Sequence, residues 1–114
     1  MTQGCLFCAV AAGAVPADVV LDEDELLAFR DIAPQAPVHV LIIPRPHYPD
    51  IGSLAVADAA LAGRLLRAAA GLAADLGAAE GFRLVVNTGP EAGQTVDHAH
   101  IHLLGRRPMS WPPG

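Results

Sequence analysis

With 114 residues, 53% hydrophobic and 17% charged, the chain can bury one core and has no room for a second. That balance excludes a disordered chain. No apolar run reaches membrane-span length without a charge, Gly or Pro, which argues against a transmembrane segment. A formal net charge of −5 excludes generic electrostatic attraction to nucleic acid, so a bound nucleotide would need local donors.

In chain order, residues 4–14 read as a short N-terminal helix closed by Gly13 and Pro16. Residues 18–21 and 26–31 are two β-like runs around the acidic turn Asp22-Glu23-Asp24-Glu25, which suggests a hairpin. Pro34 and Pro37 stiffen the next loop. Residues 38–43 (Val-His-Val-Leu-Ile-Ile) are the most apolar strand candidate and the expected centre of the sheet, and the prolines after it break the ladder. Residues 54–76 read as one long helix. Leu61, Leu65, Leu72 and Leu76 share a face, with Arg64, Arg67 and Asp75 off it. Gly63 and Gly71 weaken that helix by about 1 kcal/mol each relative to Ala, or permit close packing on a sheet. Residues 82–87 form a further strand, and residues 88–94 a Gly-rich loop. About five strands without alternating helical crossovers favour an α+β fold with an antiparallel sheet in a single domain, 1–114. No basic, then apolar, leader opens the chain, and the cytoplasm is the expected location.

The chemistry concentrates in Asp97-His98-Ala99-His100-Ile101-His102-Leu103-Leu104, which holds three of the five histidines. A period of two reads as a strand with the imidazoles on one face and Ala99, Ile101 and Leu103 on the other. Imidazole binds metals, moves protons near neutral pH and can attack phosphorus. Cys5 and Cys8 form a Cys-x-x-Cys pair, which by itself fits a metal half-site, buried thiols or a redox pair. Asp97, expected opposite the histidines, faces solvent or Arg106 and has no assigned role.

The run from Gly93 to Leu104 resembles the signature of the histidine triad (HIT) superfamily. The tail Met109-Ser110-Trp111-Pro112-Pro113-Gly114 is similar to that of the HINT branch, as are Phe29-Arg30-Asp31-Ile32-Ala33-Pro34-Gln35-Ala36-Pro37-Val38-His39, Ile43-Pro44-Arg45-Pro46-His47 and Val85-Val86-Asn87. The resemblance spans essentially the whole chain. It implies a five-stranded HIT-like fold and a homodimer with joined sheets, the tail 105–114 reaching the partner. It also implies hydrolysis of purine nucleoside 5′-phosphoramidates, on AMP- or GMP-like substrates.

By the same resemblance, His100 is the nucleophile that forms a nucleotidyl-imidazole, His102 donates to phosphate or to the departing amine, and His39 supports the pair. Gly93, Gln94 and Thr95 cradle the α-phosphate, with Thr95 where serine is common. Asp31 accepts from the ribose hydroxyls, Ile32 lies beside the base, and Asn87 is a polar contact near the phosphate. Trp111 shapes leaving-group preference from the partner subunit or merely anchors the tail. Some bacterial relatives hold zinc on a set like Cys5, Cys8, His47 and His98, which makes structural zinc the favoured reading of the cysteine pair; catalysis itself needs no cofactor. A sister branch cleaves dinucleoside polyphosphates but tends to carry glutamine at the position of His102. A nucleotide-binding regulator with incidental catalysis is the third reading.

Overall fold

A computed structural model describes residues 4–114. The elements run α1 (Leu6–Ala11), β1 (Val19–Asp22), β2 (Leu26–Arg30), β3 (Val38–Pro44), α2 (Ile51–Ala57), α3 (Ala59–Asp75), β4 (Phe82–Val85) and β5 (Ile101–Gly105). The five strands form one antiparallel sheet in the order β1-β2-β3-β5-β4. The expected α+β class and strand count are what the structure has. β3 is central and every one of its residues is buried, as its apolar run requires.

Alternation along the strands makes two unlike faces. Leu26, Ala28, Val40, Ile42, Ile101 and Leu103 pack on Leu54, Leu61, Leu65 and Leu72 of the helices. Leu27, Phe29, Leu41 and Ile43 face the other way and meet Phe7 and Val10 of α1. His39 on β3 and His102 on β5 fall on this second face, because each is one residue out of phase with the helix-packed set. The sheet is thus a wall with a helical back and a front that carries the histidines. Arg45 fastens α1 to that wall through the Ala11 carbonyl at 2.7 Å and the Glu23 carbonyl at 2.8 Å.

Two expectations are corrected, and one pair of alternatives is decided. The single helix over residues 54–76 is two helices, beginning at Ile51 and meeting at Asp58. The Asp50 carboxylate caps the first by accepting from Ser53 N–H, and the Asp58 carboxylate caps the second by accepting from Leu61 N–H at 3.0 Å. Hydrophobic periodicity runs through the break because both helices bury the same side. Gly63 and Gly71 do not serve close packing, since a Cβ at either position meets nothing within 4 Å. The glycine that does is Gly105 at the end of β5, where a Cβ would sit 2.6 Å from that of Ala78.

The second correction concerns the histidine strand. The alternation holds, but ladder pairing begins only at Ile101. Ahead of it the backbone is held otherwise: Ala99 N–H donates to the Tyr48 carbonyl at 2.7 Å, and His98 N–H to the Val96 carbonyl at 2.9 Å. His98 and His100 therefore sit on a tethered approach to the strand, and His102 on the strand itself. Among the described residues, no helix is long and apolar enough to cross a membrane.

Candidate active site and metal centre

A cleft of about 480 Å³ opens on the front of the sheet, within the range of small-ligand sites. It brings together His100, His102, Asp31, Ile32, Asn87, Gly93 and Thr95. Ile32 is fully exposed at its rim. Phe7, Phe29, Leu41 and Val10 form the apolar wall, which the motif reading did not identify. Their signal was present in the alternation of β2 and β3, whose second face had to be covered by something. Phe7 stands edge-on to the His100 ring, with centroids 5.1 Å apart at 89°.

Hydrogen bonds settle which nitrogen of each ring carries a proton. His100 Nδ1 lies 2.7 Å from the His98 carbonyl, which only accepts, so Nδ1 is the N–H and Nε2 holds a free lone pair at the cleft. His39 Nδ1 accepts from Gln35 N–H at 3.0 Å, so in the neutral ring the proton is on Nε2. That Nε2–H donates to His102 Nδ1 at 2.9 Å, which leaves the His102 proton on Nε2. One ring thereby presents a lone pair to the cleft, and its neighbour, centroid 5.1 Å away, carries a donor.

Burial disfavours the charged forms of His39 and His102. Desolvation lowers the His39 pKa below that of a free imidazole, partly offset by the Asp31 carboxylate 3.5 Å from its Nε2. Desolvation, then repulsion from His100 and His39, brings His102 down to about 4. Asp31 also accepts from Ala33 N–H at 2.8 Å, which fixes its carboxylate at the cleft edge.

Gln94 behaves differently from its expected role in the phosphate cradle. Its side-chain oxygen accepts from Gly89 N–H at 2.9 Å, and its amide nitrogen donates to the Pro49 and Val96 carbonyls. The N–H groups of Gly93 and Gln94 are themselves bonded to the Pro90 and Gly89 carbonyls. Gln94 thus shapes the loop rather than lining the cleft, and Thr95 is the cradle residue that offers a hydroxyl there. Trp111 is exposed and away from its own chain's cleft. Asp97 is exposed to solvent, one of its two expected surroundings, and shares a surface hollow with Cys5 and His47.

Cys5, Cys8, His47 and His98 converge, their donor atoms all within 4.8 Å of one another. The Cys5–His98, Cys8–His47 and Cys8–His98 Sγ–Nδ1 separations are 3.3, 3.3 and 3.4 Å, and the two Nδ1 atoms lie 3.2 Å apart. A tetrahedral zinc with bonds of about 2.0 Å to nitrogen and about 2.3 Å to sulfur has donor–donor edges of about 3.3–3.8 Å, so this set could hold such an ion. His98 is prepared for it, because its Nε2–H donates to the Pro44 carbonyl at 2.8 Å and leaves Nδ1 as the lone-pair nitrogen. Desolvation and the neighbouring Cys5 push the Cys8 thiol up to about 11, a cost that a divalent cation would reverse.

The HIT domain family model matches residues 12–109. An uncharacterized HIT-like protein of Synechocystis is 49% identical over 114 residues, covering all of both chains. The adenylylsulfatase HINT1 of Arabidopsis thaliana is 45% identical over 112 residues, 96% of this chain and 76% of that one. A HIT family hydrolase from Legionella pneumophila has the same fold, with a TM-score of 0.94 and 49% identity over 97% of this chain and 100% of that one. By sequence and by fold, then, this chain belongs to the HIT (histidine triad) family.

Proposed function

We propose that the protein hydrolyses the P–N bond of purine nucleoside 5′-phosphoramidates, AMP-amines foremost, through a nucleotidyl intermediate on His100. The observation that carries this reading is the tautomer pair: an unprotonated His100 Nε2 beside a His102 whose proton is on Nε2, in one cleft. The His100 lone pair attacks the α-phosphorus, the P–N bond breaks, and the nitrogen leaves as an amine with a proton taken from solvent, while the His102 Nε2–H donates a hydrogen bond to the phosphate oxygens. Water then adds to phosphorus, the His100–phosphorus bond breaks, and a nucleoside monophosphate departs. One proton of that water returns to solvent, which balances the proton taken by the amine. Splitting the displacement in two lowers each barrier.

In this reading Asp31 accepts from the ribose hydroxyls, the apolar wall and Ile32 take the base, Asn87 and Thr95 hold the phosphate, and Gly93, without a side chain, lets the loop come close to it. Gln94 acts only by shaping that loop. His39 supports His102. Cys5, Cys8, His47 and His98 hold zinc as a closed structural set, with no open position for substrate. The protein works as a homodimer in the cytoplasm, with residues 105–114 reaching the partner and Trp111 contacting the leaving group there. A second substrate class enters through the Arabidopsis relative named as an adenylylsulfatase, in which sulfate takes the place of the amine.

The test is turnover of adenosine 5′-phosphoramidate, adenosine 5′-phosphosulfate and diadenosine polyphosphates by wild type and by His100→Ala. The expected result is rapid release of AMP from the phosphoramidate, lost in the variant. Turnover of the polyphosphates alone transfers the protein to the dinucleotide-cleaving reading. No turnover of any of them defeats the enzymatic reading.

A further inference from the structure

The metal centre and the cleft are built from residues adjacent in the chain. Leu6 and Phe7 are the two residues between Cys5 and Cys8, and both line the cleft. Phe7 stands edge-on to His98, a candidate metal ligand, at 6.1 Å and to His100, the candidate nucleophile, at 5.1 Å. His98 presents Nδ1 to the cysteines while its carbonyl accepts from His100 Nδ1–H. The helix that carries this wall, α1, has six residues. That is too short to persist on helical propensity, so its position depends on its tertiary ties. Those ties are Arg45 at its C-terminal end, the packing of Phe7 and Val10, and at its N-terminal end the cysteines against His47 and His98.

We propose that metal binding at Cys5, Cys8, His47 and His98 and nucleotide binding in the cleft are positively coupled, with Phe7 as the positioning residue that transmits the coupling. This rests on the nucleotide-binding reading above. The metal joins the two ends of the Cys-x-x-Cys turn to strand-side histidines. Phe7 is then held against the base wall and His100, and the His98 carbonyl is held on the nucleophile. A nucleotide that packs on Phe7 favours the same placement of α1 and so favours the metal. Linkage requires the two effects to be equal in factor.

The test is by equilibrium binding and needs no turnover. Isothermal titration gives the AMP Kd of zinc-loaded and chelator-stripped protein, with circular dichroism to follow the fold. Competition with a chromophoric chelator gives the zinc Kd of loaded protein with and without saturating AMP. The expected result is an AMP Kd raised at least about 5-fold by stripping, and a zinc Kd lowered by the same factor by AMP. Should stripping unfold the chain, the zinc competition on loaded protein carries the test alone. In Phe7→Ala, zinc binds at one per chain, but AMP no longer tightens it. An unchanged zinc Kd with saturating AMP overturns the coupling, as does a protein that takes up no zinc. An undiminished AMP effect in Phe7→Ala overturns the role of Phe7. If the loaded wild type does not bind AMP at all, the nucleotide reading itself fails.

Discussion

His102 makes the acid side of the stability profile predictable. Its pKa in the fold is about 4, against 6.5 for a free imidazole. A lowered pKa means that the unfolded chain binds the proton more readily. The stabilisation by the neutral ring is therefore present above pH 6.5 and is lost as pH falls toward 4. Between pH 7 and pH 5, integrating the proton difference over one such group removes about 2 kcal/mol. Water reaching the partly buried ring trims this toward about 1 kcal/mol. His39 shifts in the same direction and adds to the slope. Urea unfolding of zinc-saturated protein at pH 7 and pH 5 measures the loss, and His102→Gln isolates the share of this one ring. Wild type should lose at least about 1 kcal/mol more than the variant over that interval. Equal losses would refute the claim that His102 is held neutral by its surroundings.

Gly105→Ala should cost about 1–3 kcal/mol in chemical denaturation, because the new methyl meets Ala78 at 2.6 Å. Gly63→Ala and Gly71→Ala should each gain about 0.5–1 kcal/mol and raise the Tm, since both added methyls enter open space on a helix; a loss would show that these faces are covered in solution. Asp58→Ala should lose about 1 kcal/mol with the cap of α3, read by the same unfolding assay. His39→Phe keeps a ring of similar size but removes the donor to His102 Nδ1, so kcat on adenosine 5′-phosphoramidate should fall at least about 10-fold while the AMP Kd stays near wild type.

Much of the site was written in local pattern. Alternation put His100 and His102 opposite Ile101 and Leu103, and the apolar run of residues 38–43 made that strand central; both hold in the fold. The break at Asp58 was hidden because periodicity reports burial and not capping. A carboxylate one residue before a helix is visible in sequence, but nothing local shows that the chain turns there. The apolar wall of the cleft was half legible: Leu27, Phe29 and Leu41 needed a cover, yet the choice of α1 as that cover depends on packing.

By itself, the sequence determined which residue types would share a face, and so where imidazole and thiol chemistry would lie. Only the tertiary structure decided the state of each ring. A histidine's tautomer follows from what its other nitrogen touches, and those partners are remote or irregular in the chain: the Pro44 carbonyl for His98, the Gln35 N–H for His39, the His98 carbonyl for His100. Spacing can set a side chain on a surface, but a proton is placed by the donor or acceptor that folding brings within 3 Å.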